Sequence, residues 1–199
     1  MPIAAPPLIA IRHTPVLGGQ GICYGGNTDL EVADREVADA ARRLRLAIPD
    51  WPIVSSPLQR CRRLAEATAR GFRIAPSPSR GVPASPLPMA AARALPRGVQ
   101  VDARIAELHF GDWEGQAWSV ISREHRDEWA ANPSGYRIPG GESHLDLEAR
   151  VTKALAELTA PTIWFTHAGV IRALHHLLSG IDHREALRRP VPYATPVRF

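Results

Sequence analysis

Apolar positions along this chain alternate between short unbroken runs and longer stretches of helical period. Leu8-Ile9-Ala10-Ile11 is continuous and stops at Arg12-His13, the pattern of a strand buried on both faces that delivers polar residues at its C-terminal end. In open α/β sheets ligands bind at that end. After a glycine-rich loop over 18–26, residues 32–48 carry Val37, Ala40, Ala41 and Leu44 at helical spacing, and Pro49 closes the helix. Pro52-Ile53-Val54-Ser55-Ser56 predicts a second strand, and Pro57 suits the first turn of a helix reaching Gly71. A third strand is expected over 98–101, followed by a loop over 104–115 and a helix from Trp118 to Ala131, ended by Asn132-Pro133. Pro139-Gly140-Gly141-Glu142-Ser143 reads as a turn capping a helix that runs to Leu158. Thr162-Ile163-Trp164-Phe165-Thr166 predicts a strand ending at His167, and a helix over 170–178 stops at Gly180.

Strands alternating with helices imply an α/β fold, a three-layer sandwich whose mostly parallel central sheet has helices on both faces. No internal repeat divides the 199 residues, and 1–199 reads as one domain. Its one compositional break is the Pro-rich segment 76–98, expected to be a surface excursion.

Composition narrows the function classes. Hydrophobic residues make up 45% of the chain, enough for a sizeable core. The net charge is only +4, but Lys153 is the one lysine among 24 basic residues, so the chain is stocked with bidentate anion binders. These arginines are interspersed with acids such as Asp34, Glu36, Asp39 and Glu66, and no basic and aromatic run forms a nucleic-acid reading surface. Two cysteines, Cys23 and Cys61, are too few for a disulfide framework and lack zinc-ligand spacing. Residues 1–7 carry no basic leader and the run 8–11 is too short for a signal core or membrane span. A cytoplasmic protein is expected, with no membrane or nucleic-acid partner, no cofactor and no metal.

The chemistry concentrates at strand ends. Two strands end in histidine, at His13 and His167, and if they are parallel neighbours both imidazoles meet over one sheet edge. The turn Ser55-Ser56-Pro57-Leu58-Gln59-Arg60 puts Arg60 one turn into a helix, aimed at the same edge. Two imidazoles with the guanidiniums of Arg12 and Arg60 suit a dianionic phosphate better than a metal or an acyl group.

Five ordered motifs resemble those of the histidine phosphatase superfamily, the branch containing phosphoglycerate mutases and small-molecule phosphatases. They are Arg12-His13-Thr14, Ser56-Pro57-Leu58-Gln59-Arg60-Cys61, the run Glu107-Leu108-His109-Phe110-Gly111-Asp112-Trp113-Glu114-Gly115, Pro139-Gly140-Gly141-Glu142-Ser143, and Thr166-His167-Ala168-Gly169-Val170-Ile171-Arg172. The resemblance implies a phosphoglycerate mutase-like fold and a metal-independent phosphomonoesterase acting on a small-molecule phosphate ester. It implies His13 as nucleophile, Glu107 as general acid and Arg12, Arg60 and His167 as the phosphate pocket. Thr14, Tyr24, Gly26 and Ala168 are the expected substrate contacts. Glu114 is the rival acid, and Asp112 and Trp113 read as structural. A neutral nucleophilic imidazole is what nearby guanidiniums favour, and a carboxyl is the right group to protonate an alkoxide leaving group.

Within that family the loop Gly21-Ile22-Cys23-Tyr24-Gly25-Gly26-Asn27-Thr28-Asp29 is similar to that of the alpha-ribazole phosphatases of cobalamin synthesis, with one extra residue between Tyr24 and Thr28. Alpha-ribazole 5'-phosphate is therefore the expected substrate, and Tyr24, Trp118, Trp129 and Tyr136 could wall a flat apolar base. The alternatives are a broad-specificity phosphatase, a phosphoglycerate mutase, and a catalytically idle phosphate-binding protein.

Overall fold

The computed structural model describes residues 5–72 and 98–199. The Pro-rich excursion expected over 76–98 therefore lies, except for Gly98, outside the described residues. Among these residues five strands form one sheet: β1 (Leu8–Arg12), β2 (Ile53–Ser55), β3 (Gln100–Val101), β4 (Thr162–Thr166) and β5 (Pro196–Arg198). Their order across the sheet is β3-β2-β4-β1-β5. β1, β2, β3 and β4 are mutually parallel along that order, and only the edge strand β5 runs antiparallel, against β1.

Among the described residues six α-helices accompany the sheet: α1 (Asp34–Ala47), α2 (Gln59–Phe72), α3 (Arg123–Ala131), α4 (His144–Ala156), α5 (Ala168–Ser179) and α6 (His183–Arg188). The period of two along β1 and β4 separates two cores. Ile9, Ile11, Ile163 and Phe165 face α1 and α2, while Leu8, Ala10 and Trp164 face α4 and α5. Burying each large apolar side chain contributes about 1.5–3 kcal/mol, so neither face could be left to solvent. The result is a three-layer α/β sandwich, as the alternating runs lead one to expect.

Boundaries shift where the backbone has other commitments. The helix expected from Trp118 starts only at Arg123, because the Trp118 N–H donates to Gly21 O and Ala117 bridges Ile22. Ser122 then supplies the cap, accepting from the His125 N–H. Likewise Val32 is held in a bridge to Val16, and α1 begins at Asp34. α4 starts with a full capping box, Ser143 and Asp146 each accepting from the other's backbone N–H. α6 and β5 have no counterpart in the apolar pattern; six and three residues are too short to show a period.

Candidate functional site

β1 and β4 are adjacent and parallel, with Arg12 opposite Thr166. The next residue of each strand is a histidine, so His13 and His167 leave the sheet side by side, their ring centroids 5.2 Å apart. β2 lies on the other side of β4 and contributes Ser56, whose hydroxyl is 2.8 Å from His167 Nε2. Arg60, the second residue of α2, is fully buried. Its Nη atoms donate to the carbonyls of Thr28 (2.6 Å) and Gly25 (2.8 Å), and Asp29 stands 3.7 Å away. Arg12 donates to Val191 O at 2.8 Å and lies 3.7 Å above the Tyr193 ring.

The tautomer of His13 follows from one contact. Nδ1 is 2.6 Å from Thr14 O, and a carbonyl only accepts, so Nδ1 carries the hydrogen and Nε2 an unshared lone pair. Burial depresses the His13 pKa to about 3, with Arg60 and Arg12 pushing the same way against the Thr14 hydrogen bond. The ring is thus neutral throughout the physiological range. His167, wholly buried, is also held well below the usual histidine range, first by burial and then by Arg60 and His13.

Glu107 reaches the site from the loop between two short 3₁₀ turns, Ala103–Ile105 and Gly111–Trp113. Its Oε1 accepts from the N–H groups of Leu108 (3.0 Å) and Gly169 (3.1 Å), the latter in the first turn of α5. Oε2 lies farther from the same donor, 3.4 Å from Gly169 N. Arg150 on α4 holds the loop from below, donating to the carbonyls of Arg104, Ala106 and Glu107 and pairing with Glu142. Gly111 has φ +50°, and a Cβ there would strike Pro139 O, which is why the Pro139–Glu142 turn can close over this loop.

Glu114 is placed differently. Its carboxylate accepts from the N–H groups of Asn27 and Phe110 and from the Thr28 hydroxyl, tying the loop 25–28 to the Glu107 loop. Gly26 N–H bonds Leu108 O across the same seam. Of the other expected contacts, Thr14 is buried with its hydroxyl unpartnered, Ala168 opens α5, and Tyr24 stands 5.5 Å from the Arg60 guanidinium. Burial and a hydrogen bond to Tyr193 raise the Tyr24 pKa to about 12. Trp118 and Tyr136 pack on Trp113 and not against His13 or His167.

Beside Glu107 opens a cavity of about 380 Å³, lined by Leu108, Phe110 and Trp129 on one side and by Arg172, Arg184 and Arg188 on another. Tyr193, Gly169 and these three arginines were not singled out in the sequence as site residues. Tyr193 sits in a Pro-rich turn with no periodic pattern around it. Among the described residues one group has the donor atoms of a metal centre: His144, Glu148 and His183. It is a His-x-x-x-Glu pair on a helix face with a third ligand distant in sequence, and no cysteine-based spacing would reveal it. No helix among the described residues is long and apolar enough to cross a membrane.

Known proteins place this arrangement in context. A crystal structure of phosphoglycerate mutase from Thermus thermophilus is 30% identical, covers 96% of this chain and 91% of its own, and superposes with a TM-score of 0.69. Glucosyl-3-phosphoglycerate phosphatase of Mycolicibacterium vanbaalenii is 28% identical over 198 aligned residues, covering 87% of this chain and 74% of the relative. The Mycobacterium tuberculosis enzyme of the same name is 33% identical over 92 residues, 38% of this chain and 41% of the relative. The local match thus spans about two fifths of that relative's length. Residues 88–198 match the histidine phosphatase superfamily (branch 1). The cluster of histidines, arginines and Glu107 is consistent with the phosphohydrolase chemistry of that group, and the chain belongs to the histidine phosphatase superfamily, branch 1.

Proposed function

We propose that this protein hydrolyses a small-molecule phosphate monoester through a phosphohistidine on His13. The observation that carries this reading is the buried, neutral His13, its Nδ1–H spent on Thr14 O, its Nε2 lone pair unshared, and the charges of Arg60 and Arg12 acting on the ring. Nε2 attacks phosphorus as the ester P–O bond breaks, and Glu107 Oε2 delivers a proton to the departing alkoxide. Water then gives a proton back to Glu107 and attacks the phosphohistidine; the P–N bond breaks, releasing phosphate and restoring neutral His13. Arg12, Arg60 and His167 hold the phosphoryl oxygens, supplying the positioning and charge stabilisation that phosphoryl transfer needs. Thr14, Tyr24, Gly26 and Ala168 border the substrate.

For the substrate we infer alpha-ribazole 5'-phosphate. The support is the loop 21–29, similar to that family's, and a cavity whose Leu108, Phe110 and Trp129 suit a flat apolar base. A second reading is favoured by Arg172, Arg184 and Arg188: a phosphate ester with a further anionic group, as the name of the mycobacterial relatives implies for theirs. Phosphate release from alpha-ribazole 5'-phosphate, glucosyl-3-phosphoglycerate, phosphoglycerates and simple esters tests both. Selective turnover of the ribazole compound supports the first, preference for the acid-bearing esters the second, and even turnover of all a broad-specificity enzyme. Transfer between phosphoglycerates in place of release to water would make it a mutase.

A further inference from the structure

Outside the histidine pair, α4 and α6 bring three side chains together that the phosphoryl chemistry does not use. His144 and Glu148 are one turn apart on α4, with side chains 5% and 9% exposed, and His183 is the first residue of α6. Their donor atoms form a triangle: His144 Nδ1 to Glu148 Oε1 is 3.5 Å, His183 Nε2 to the same oxygen 3.6 Å, and the two nitrogens lie 3.2 Å apart. Ligands of a tetrahedral zinc at about 2.0–2.1 Å stand about 3.4 Å from one another, so this triangle has the size of one face of that tetrahedron.

Hydrogen bonding alone leaves the cluster short of partners. Glu148 Oε1 is buried and makes no hydrogen bond among the described residues, and His144 Nε2 is likewise buried without one. A buried carboxylate oxygen facing two imidazole nitrogens is costly unless something positive sits between them. His176 packs on His183 with ring centroids 4.8 Å apart.

We propose that His144, Glu148 and His183 bind one divalent cation of the zinc class, with a water as fourth ligand. Two imidazoles and a carboxylate are a donor set that zinc takes and magnesium does not favour. The ion would tie α6 directly to α4, two helices that otherwise both pack on α5. Because α6 carries Arg184, Leu187 and Arg188 onto the cavity and His144 lines it too, the ion would set the shape of that wall while leaving the chemistry at His13 alone.

The test is zinc uptake by the purified, tag-free chain after chelator treatment and dialysis. One zinc per chain is expected by elemental analysis, falling to background in Glu148→Gln and His183→Ala and unchanged in His13→Ala. Cobalt(II) should give the intense visible bands of a tetrahedral site. Less than a stoichiometric ion in the wild type, or undiminished uptake in both cluster variants, overturns the proposal. If the variants fail to fold, the wild type decides: at about hundredfold excess over Kd, zinc should raise Tm by roughly 5–10 °C and magnesium should not, and no shift with zinc overturns the site.

Discussion

His13 donates its Nδ1–H to the carbonyl of its own neighbour, Thr14, at 2.6 Å. That one bond settles which nitrogen carries the hydrogen and which keeps its lone pair, and it needs no acidic partner to do so. A carboxylate in the same place would favour the imidazolium; a carbonyl inside a buried pocket leaves the ring neutral.

The depressed pKa of His13 has a consequence for stability. In the unfolded chain the ring titrates near its ordinary 6.5, in the fold near 3. Between those values the unfolded state binds more protons, so stability falls as pH drops from 6.5 toward 3 and is unaffected above 6.5. From pH 7 to pH 5 the His13 share of that loss is about 2 kcal/mol. Urea unfolding should therefore show His13→Asn losing less stability than the wild type over this interval. An equal or larger loss in the variant contradicts the assignment.

Glu107 and Glu114 should separate cleanly. Glu107→Gln is expected to lower kcat/KM, which reports phosphorylation of His13, by about 10²–10⁴ for alkyl phosphates, and far less for a p-nitrophenyl ester whose leaving group needs no proton. Glu114→Gln weakens the seam between the loops at 25–28 and 107–110, so it should lower stability by about 1–3 kcal/mol without that leaving-group dependence. Steady-state rates on both ester types, with unfolding curves, check this. A leaving-group effect in Glu114→Gln alone would reverse the roles.

Gly169→Ala is a second route to the same carboxylate. A Cβ there would fall on Glu107 Oε1, so the side chain must swing away from its two N–H donors. The expected result is a kcat/KM loss that resembles Glu107→Gln in its dependence on the leaving group, with Tm changed little. Unaltered kcat/KM would mean that this position of the carboxylate is not needed.

Arg60→Lys should not be conservative. The guanidinium spans two carbonyls, Gly25 and Thr28, from a fully buried position, and an ammonium cannot reproduce that fork. A stability loss of about 1–3 kcal/mol and weaker competitive inhibition by inorganic phosphate are expected. Wild-type phosphate affinity in the variant would remove Arg60 from the pocket.

The sheet edge was legible because the apolar runs of β1 and β4 give way at their C-terminal ends to Arg12-His13 and Thr166-His167, and polar residues at that end of a buried parallel strand mark where ligands bind. What the pattern could not supply was anything decided by a single long-range contact. The Trp118 N–H commitment to Gly21 delayed α3, and α6 and β5 were too short to carry a period. Trp118 and Tyr136 pack around Trp113, while Tyr193, from a segment without periodicity, stands beside His13 and Arg12. The arginines of the cavity wall and the His144, Glu148 and His183 cluster depend on how α4, α5 and α6 pack, which spacing along one chain does not encode.

The central claim is a covalent phosphate on His13, and rapid acid-free quenching of the enzyme during turnover, followed by peptide mass spectrometry, tests it most directly. The account predicts an acid-labile, base-stable phosphoryl group on the peptide containing His13, accumulating in Glu107→Gln when the substrate is a p-nitrophenyl ester and missing in His13→Ala. Steady turnover with His13 unmodified at every time point, or turnover that survives His13→Ala, would contradict it.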